Sequence, residues 1–403
     1  MAFRSGQFAM ANDLSALILS ADSLHDGRGV AGPGTALVIA AGRIVEATTR
    51  EQAAKRYPEA AREHFPDATI VPGLIDLHGY LSIEPDRPDP MRQMFGSNHF
   101  ERAWVTAKHL RRNLQAGITT IRVMGEGHGL DFAARDAVRS GLLAGPDLVV
   151  SGVPIAPTNS HQSDKVGFDG VDAVRQAVRA NLRAGADCIK LVLTGGVNAA
   201  GNSARTLIYS EAEIAVAVEE ATRAGCYVAA AAHGGEAIAT AMRLGVRMIE
   251  HGALLDEDGA EQIQKHGGYL VATPARFFHP EGIEKSASKS PAIMQRLMAA
   301  RQMQDRVMPL ALRSGLKVAL GSDNMHGLLY YDASCLVRWG ASPVAALHAA
   351  TGMAAEAALL ADRGVLKAGC RADLMVVSGE AARDVGALAN VQRVMKEGCW
   401  VEA

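Results

Sequence analysis

After Gly73 the chain alternates repeatedly between a short apolar run and an amphipathic stretch, and this rhythm restricts its fold more than any other feature. The apolar runs are LIDLH (74–78), TTIRVM (119–124), DLVVS (147–151), DCIKLV (187–192), YVAAAAH (227–233), RMIEH (247–251), YLVAT (269–273) and KVALGSD (317–323). Continuous apolar runs of this length are the pattern of strands buried on two faces. Between them lie helical stretches such as ERAWVTAKHLRRNLQAG (101–117) and VDAVRQAVRANLRAG (171–185). Helices ending at Gly117, Gly185 and Gly225 share an Ala-Gly close, helix then C-cap glycine then strand. Ser210 with Glu213 reads as a capping box. Eight such units predict an α/β fold, a (β/α)8 TIM barrel over residues 73–363. The alternative is an open doubly wound sheet, but the turn after His78 lacks GxGxxG and the number of strands favours closure.

Strand-like runs also occupy the two ends of the chain. LSALILS (14–20), ALVIAAGRIVEA (36–47) with a tight hairpin at Gly42-Arg43, and ATIVPG (68–73) precede the barrel; ADLMVVSG (372–379) and NVQRVMKEGCWVEA (390–403) follow it. They predict a small β-sandwich-like domain built from residues 1–72 and 364–403. With 48% hydrophobic and 21% charged residues, a disordered chain is excluded. A formal net charge of −2 gives no global basic field for nucleic acid or an anionic membrane. No apolar window approaches the roughly 18 residues of a membrane span, and the N-terminal apolar stretch is too short and interrupted for a signal peptide. The five cysteines are scattered, without a CxxC pair, and read as reduced thiols. The expectation is a soluble, cytoplasmic protein acting on a small molecule, with neither nucleic acid nor membrane as partner.

In a barrel of this kind, chemistry gathers where the strands end. His78 ends the first run, Lys190 lies in the fourth, His233 ends the fifth, His251 the sixth and Asp323 the eighth. A lone histidine on an apolar strand is ordinarily a satisfied core residue; polar residues on five strands that would converge on one mouth point to a site. Further candidates for substrate contact lie in the loops. His161 sits in PIAPTNSHQSD (154–164), and Tyr209 follows the fourth strand. Arg276, in TPARFFH, is placed to pair a substrate carboxylate with Phe277 and Phe278 as an apolar wall, a solvated arginine being the equal alternative. His326, in NMHGLLYYD (324–332), is favoured over Tyr330 and Tyr331 as a pocket residue. Glu126 and His128 are weaker candidates, and SASKSP (286–291) reads as a flexible loop, lid or linker.

VPGLIDLHGYLS (71–82), ADCIKLVLTGGV (186–197), AAHGGEAI (231–238), IEHGALLD (249–256), LGSD (320–323) and the tail ALHAATGMAAEAALLADRGVLKAGCRADLMVV (346–377) together resemble the amidohydrolase superfamily in its imidazolonepropionase-like and prolidase-like branch. Each motif is weak alone; their order and spacing over nearly the whole chain are specific. The resemblance implies a barrel with an appended β-domain, self-association into a homo-oligomer, and hydrolysis by water activated on one or two metal ions, zinc or a similar divalent ion. It matches His78, Lys190, His251 and Asp323 to ligand positions, Lys190 as a bridging carbamate and Asp323 as the base that takes the water's proton.

Two positions depart from the family's pattern. Tyr80 stands where the first strand carries a second imidazole, and Ala231 where the fifth strand carries its ligand histidine. Each loss takes one ligand from a different ion of a binuclear pair. The number of remaining donors favours a depleted site, mononuclear or metal-free, with the metal-free form preferred. In the mononuclear form His78, His251 and Asp323 hold one ion, with Tyr80 or His233 assisting. In the metal-free form the same residues, Tyr80 and an uncarboxylated Lys190 act as acids, bases and hydrogen-bond donors, for a hydrolase or for a lyase, isomerase or cyclase. A third reading is a non-catalytic ligand-binding protein. The leading expectation is an enzyme acting on a small polar molecule with an amide, imide or related C–N or C–O bond.

Overall fold

The computed structural model describes residues 16–32, 34–85, 98–161, 167–197, 202–283, 285 and 290–402. Residues 14–15 of the N-terminal run LSALILS, residues 162–164 of the His161 loop and residues 286–289 of SASKSP lie outside them.

The strands in chain order are β1 (Leu17–Leu24), β2 (Thr35–Ala40), β3 (Arg43–Thr49), β4 (Ala61–Pro72), β5 (Leu74–Gly79), β6 (Ile118–Val123), β7 (Asp147–Val150), β8 (Ile189–Val192), β9 (Val228–Ala232), β10 (Met248–His251), β11 (Tyr269–Ala272), β12 (Val318–Leu320), β13 (Leu374–Ser378), β14 (Val391–Lys396) and β15 (Cys399–Trp400). Strands β5-β6-β7 form one parallel sheet and β8 to β12 another, each in chain order. Isolated parallel bridges join the two sheets on either flank, Gly79 to Asp323 and Ile155 to Leu191. With helices between successive strands, this is consistent with a (β/α)8 barrel. Alternation along the strands sorts their side chains. Met248, Ala229, Val271 and Ala319 share one cluster with Ala354 and Ala357, while their neighbours Ile249, Ala230, Leu270 and Leu320 pack with the surrounding helices.

Helix ends follow local chemistry. The helix Glu211–Arg223 opens with the expected capping box between Ser210 and Glu213. Gly117 closes the helix His99–Gln115 with a left-handed φ of 81°, and a Cβ there would overlap the Met375 sulfur.

Seven strands from the two chain ends join in the order β15-β14-β13-β4-β1-β2-β3. The expectation was a sandwich-like pair of layers; the hydrogen bonds instead run through one mixed sheet, because β4 pairs with β1 on one side and β13 on the other. The hairpin between β2 and β3 turns on Ala41 and Gly42, both with positive φ, one residue earlier than the sequence suggested. All five cysteines are free thiols. Among the described residues no helix is long and apolar enough to cross a membrane.

A charged cluster ties this sheet to the barrel. Asp147, opening β7, meets Arg363 at 2.7 Å, Lys396 at 3.0 Å, and Arg371. Burial opposes its charge, but Lys396, Arg371 and Arg363 together hold its carboxyl well below the ordinary range. A depressed carboxyl stabilises the fold above its unfolded value, near 3.8, and that stabilisation is lost as pH falls toward the lowered value. Asp147→Asn, which strands three cations, is expected to cost about 3 kcal/mol at neutral pH. Urea unfolding at pH 7 and at pH 3 tests this, since the deficit must shrink on acidification.

Candidate active site

Strands β5 and β12 bring the first and last candidates together. The Asp323 amide donates to the His78 carbonyl at 2.7 Å, and the Tyr80 amide donates to the Asp323 carbonyl at 3.2 Å. Gly321 makes this approach possible, since a Cβ there would overlap His78. Beneath them Asp76 accepts from the amides of His78 and Ser322, each at 3.0 Å, and from the Ser322 hydroxyl. Burial pushes the Asp76 carboxyl up to about 6. The β5–β6 register shifts between Asp76 and Gly79, which breaks the alternation after Leu77, a core residue, and frees His78 to share the cup.

The His78 ring is held from below. Its Nδ1 lies 2.7 Å from Glu250 Oε2, and Glu250 Oε1 accepts from Arg122 at 2.6 Å. Arg122 also donates to the Leu77 carbonyl at 2.7 Å. All three side chains are fully buried. The carboxylate assigns the proton to Nδ1 and leaves the His78 Nε2 lone pair, which is buried and has no protein partner. Burial, then the Lys190 charge, holds His78 neutral well below the usual imidazole range.

His251 follows Glu250 directly, so strict alternation would turn it away from the cup. It has a left-handed φ of 69°, costly for a residue with a Cβ, and this swings the ring inward. Its ring centroid lies 4.3 Å from that of His78 and 5.3 Å from that of His233, and its Nδ1 pairs with the Thr273 hydroxyl at 3.0 Å. His233 Nδ1 is buried without a partner, and burial lowers its pKa to about 3. Ala231, two residues earlier on β9, contributes only a methyl group.

Lys190, on β8, points its ammonium at Tyr80. Nζ donates to the Tyr80 hydroxyl at 2.6 Å and sits 4.8 Å from the ring centroid. Burial pushes the lysine down to about 8, while Glu250 and Asp323 resist the shift. His161 lies close enough to feel Lys190; burial and that charge lower it to about 4, and its Nδ1 too is buried without a partner. Six expected residues, His78, Tyr80, Lys190, His233, His251 and Asp323, therefore share one cup, with His161 at its edge.

The remaining candidates divide. Arg276 is buried, not solvated, and the charge acting on it is that of Asp323. Its Phe neighbours pack against other apolar residues. Phe277 packs in a cluster with Val197 and Leu297, and Phe278 meets Trp339 edge-on at 5.5 Å, because the Asp332 carboxylate caps Ala275 and fixes the short helix Ala275–Phe278. His326 stacks on His109 at 3.7 Å; its Nε2 pairs with the Ile83 carbonyl at 3.0 Å and its Nδ1 with Asn113 at 3.3 Å. Both nitrogens are thus engaged, one holding the segment after β5 and the other the helix His99–Gln115. The Tyr209 hydroxyl donates to the Phe168 carbonyl at 2.8 Å, an intraprotein bond that fixes a connecting loop. Glu126 is fully buried and accepts from the amides of Leu81 and Ser82 at 2.7 and 3.0 Å, from the Ser82 hydroxyl and from Arg102. Sequence reasoning missed Asp76, Arg122 and Glu250, although a charged residue inside an apolar strand run was the available signal.

With this geometry in place, comparison with known proteins is informative. The Amidohydrolase family matches residues 69–401, and the chain belongs to that family. Among characterised relatives, the ochratoxinase of Aspergillus niger is 26% identical over 416 aligned residues, 94% of this chain and 84% of the relative. The imidazolonepropionase of Paracoccus denitrificans is 24% identical over 395, covering 90% and 92%. Among solved structures, a Xaa-Pro dipeptidase with bound methionine superposes with a TM-score of 0.88 at 26% identity, covering 96% of this chain and all of the other. A prolidase complexed with N-methylphosphonate-L-proline gives 0.87 at 29% identity, covering 96% and 100%.

Glu250→Leu should destabilise the fold by about 3–5 kcal/mol, because it leaves Arg122 buried and unpaired. Adding Arg122→Met should return most of that loss. Chemical unfolding of the single and double variants measures the difference.

Proposed function

We propose that the chain is a hydrolase of small polar molecules bearing an amide, imide or related C–N or C–O bond, and that its cup operates with fewer than two metal ions. One observation carries this reading: the Lys190 ammonium is bonded to the Tyr80 hydroxyl at 2.6 Å. The family resemblance assigns a ligand imidazole to the second position and a bridging carbamate to the first. Here the two groups satisfy each other. Ala231 brings no donor, and among the described residues no three His, Cys, Asp or Glu side chains gather as an ion's ligand set. The donor set does not fit a two-ion centre. His78, with Nδ1 on a carboxylate and Nε2 open, keeps the form of a ligand imidazole, so a single ion at His78, His251 and Asp323 is the competing outcome.

In the side-chain mechanism Asp323 takes a proton from water as the water oxygen bonds to the acyl carbon. Lys190 and Tyr80 donate hydrogen bonds to the carbonyl oxygen, which gains negative charge as its π bond opens. As the C–N bond breaks, the proton passes from Asp323 to the departing nitrogen, leaving acid and amine. His78 and His251 keep water ordered and the cup polar without carrying charge. The same donors would serve a metal-free lyase, isomerase or cyclase, and product analysis separates these from hydrolysis. We place the activity in the cytoplasm on a self-associated chain, readings that fractionation and light scattering check.

Metal analysis of protein purified without added ions should give well under one ion per chain, and chelators should leave turnover unchanged. Two tightly held ions would overturn the reading. Tyr80→His combined with Ala231→His restores the missing imidazoles and should raise zinc uptake toward two per chain, measured by calorimetry. Asp323→Asn should lower kcat by about 10²-fold or more.

A further inference from the structure

The helix His99–Gln115 is committed on one side only. On its buried side Arg102 pairs with Glu126 and His109 with the Leu81 carbonyl. On the other side Phe100 and Trp104 are 80% and 74% exposed, whereas every other described Phe and Trp is buried or half-buried. Aromatic side chains left so open on a rigid helix mark a contact surface. The two belong to a seam. Phe100, Trp104, Ala107 and Arg111 recur at steps of four, three and four, the spacing by which one α-helix meets another, and the first, second and fourth are exposed. Along one edge of that seam stand Glu101 and Lys108, seven residues apart and opposite in charge. The Lys108 side chain is 63% exposed while its ammonium reaches Glu84 at 2.9 Å. The seam is therefore aromatic and acidic toward the start of the helix, and small and basic toward its end. A surface graded in this way is complementary to itself when reversed.

We propose that this seam is the docking surface for a second copy of the chain, the two helices lying antiparallel and centred between positions 105 and 106. In that register each Trp104 covers the partner's Ala107, a large residue over a small one. Each Phe100 meets the partner's Arg111, an aromatic face under a guanidinium. Each Glu101 comes beside the partner's Lys108, and every contact occurs twice about the two-fold axis. A parallel pair would instead set Glu101 on Glu101 and Lys108 on Lys108, like charges in contact. A lipid surface takes aromatic and basic residues too, but it gives no use to a small residue at 107 or to an acid at 101. The four aromatic side chains would remove roughly 600–1,000 Å² from water, a good part of a stable interface. The proposal rests on the self-associated reading of the chain and is independent of the chemistry in the cup.

The test follows the mass of the full chain by size exclusion with light scattering, from about 1 to about 100 µM. The parent should reach an even multiple of the chain mass, and Trp104→Glu and Phe100→Glu should each halve it. Glu101→Lys and Lys108→Glu should each weaken association about tenfold or more, and the double reversal should restore it. Far-ultraviolet circular dichroism matching the parent's shows that the contact and not the fold was lost. Ala107→Trp, which overfills the small position without adding charge, should give the same loss of mass by another route. If Trp104→Glu keeps the parent's mass, or the double reversal fails to restore it, the proposal is overturned and self-association stands. A parent that stays monomeric at the highest concentration overturns both. Vesicles of phosphatidylcholine and phosphatidylglycerol that capture a monomeric parent but not Trp104→Glu would assign the face to a membrane instead.

Discussion

The cup depends on one buried carboxylate. Glu250 accepts from Arg122 on one side and holds His78 on the other, with no solvent to share the load. A charge pair in so dry a place gains little net stability over a hydrophobic pair of the same size. What it adds here is orientation. Arg122 reaches the Leu77 carbonyl, Glu250 reaches the ring, and the imidazole of His78 is left with one tautomer and one direction. His251 then lies tilted against a ring that cannot turn, and its own ring is held by the Thr273 hydroxyl.

The strand–helix rhythm was legible because short continuous apolar runs and a 3.6-residue period are hard to confuse over eight repeats. The membership of the cup was legible because strand ends in such a barrel meet. What could not be read was orientation. Alternation alone would have sent His251 outward, and only its left-handed φ brings it in. His326 looked like a pocket residue from its place after Asp323, yet its two nitrogens are taken by Ile83 and Asn113, which lie more than two hundred residues away in sequence. The setting of the Phe277–Phe278 pair was hidden for a similar reason: a distant carboxylate, Asp332, sets the turn that carries them. Glu250 was overlooked beside a histidine of more obvious chemistry, although an acid inside RMIEH had to find a buried partner.

In the proposed reading the Tyr80–Lys190 bond changes the electrostatics that the family resemblance implies. A carbamate would add a negative charge between ions; a free ammonium adds a positive one. With Glu250 and Asp323 nearby, that cation is compensated by carboxylates already built into the barrel. In the proposed reading it takes over part of what an ion would supply, a fixed positive charge near a developing oxyanion. Its strength is lower than that of a divalent ion, which favours substrates whose leaving group needs less help.

An ion also organises its ligands, and in the proposed reading, with fewer ions, that order must come from elsewhere. The segment carrying Tyr80 illustrates how. Its amide is fixed by Asp323, the next two amides by Glu126, the Leu81 carbonyl by His109 at 2.8 Å and the Ile83 carbonyl by His326. Apart from the Tyr80 amide, which pairs with a backbone carbonyl, these backbone groups are claimed by buried side chains from three other parts of the barrel. Such a clamp fixes where the Tyr80 hydroxyl stands, and through it where the Lys190 ammonium points. Hydrogen bonds of this kind are directional but individually weak, so several must act at once, and the density of buried polar residues around β5 follows from that requirement.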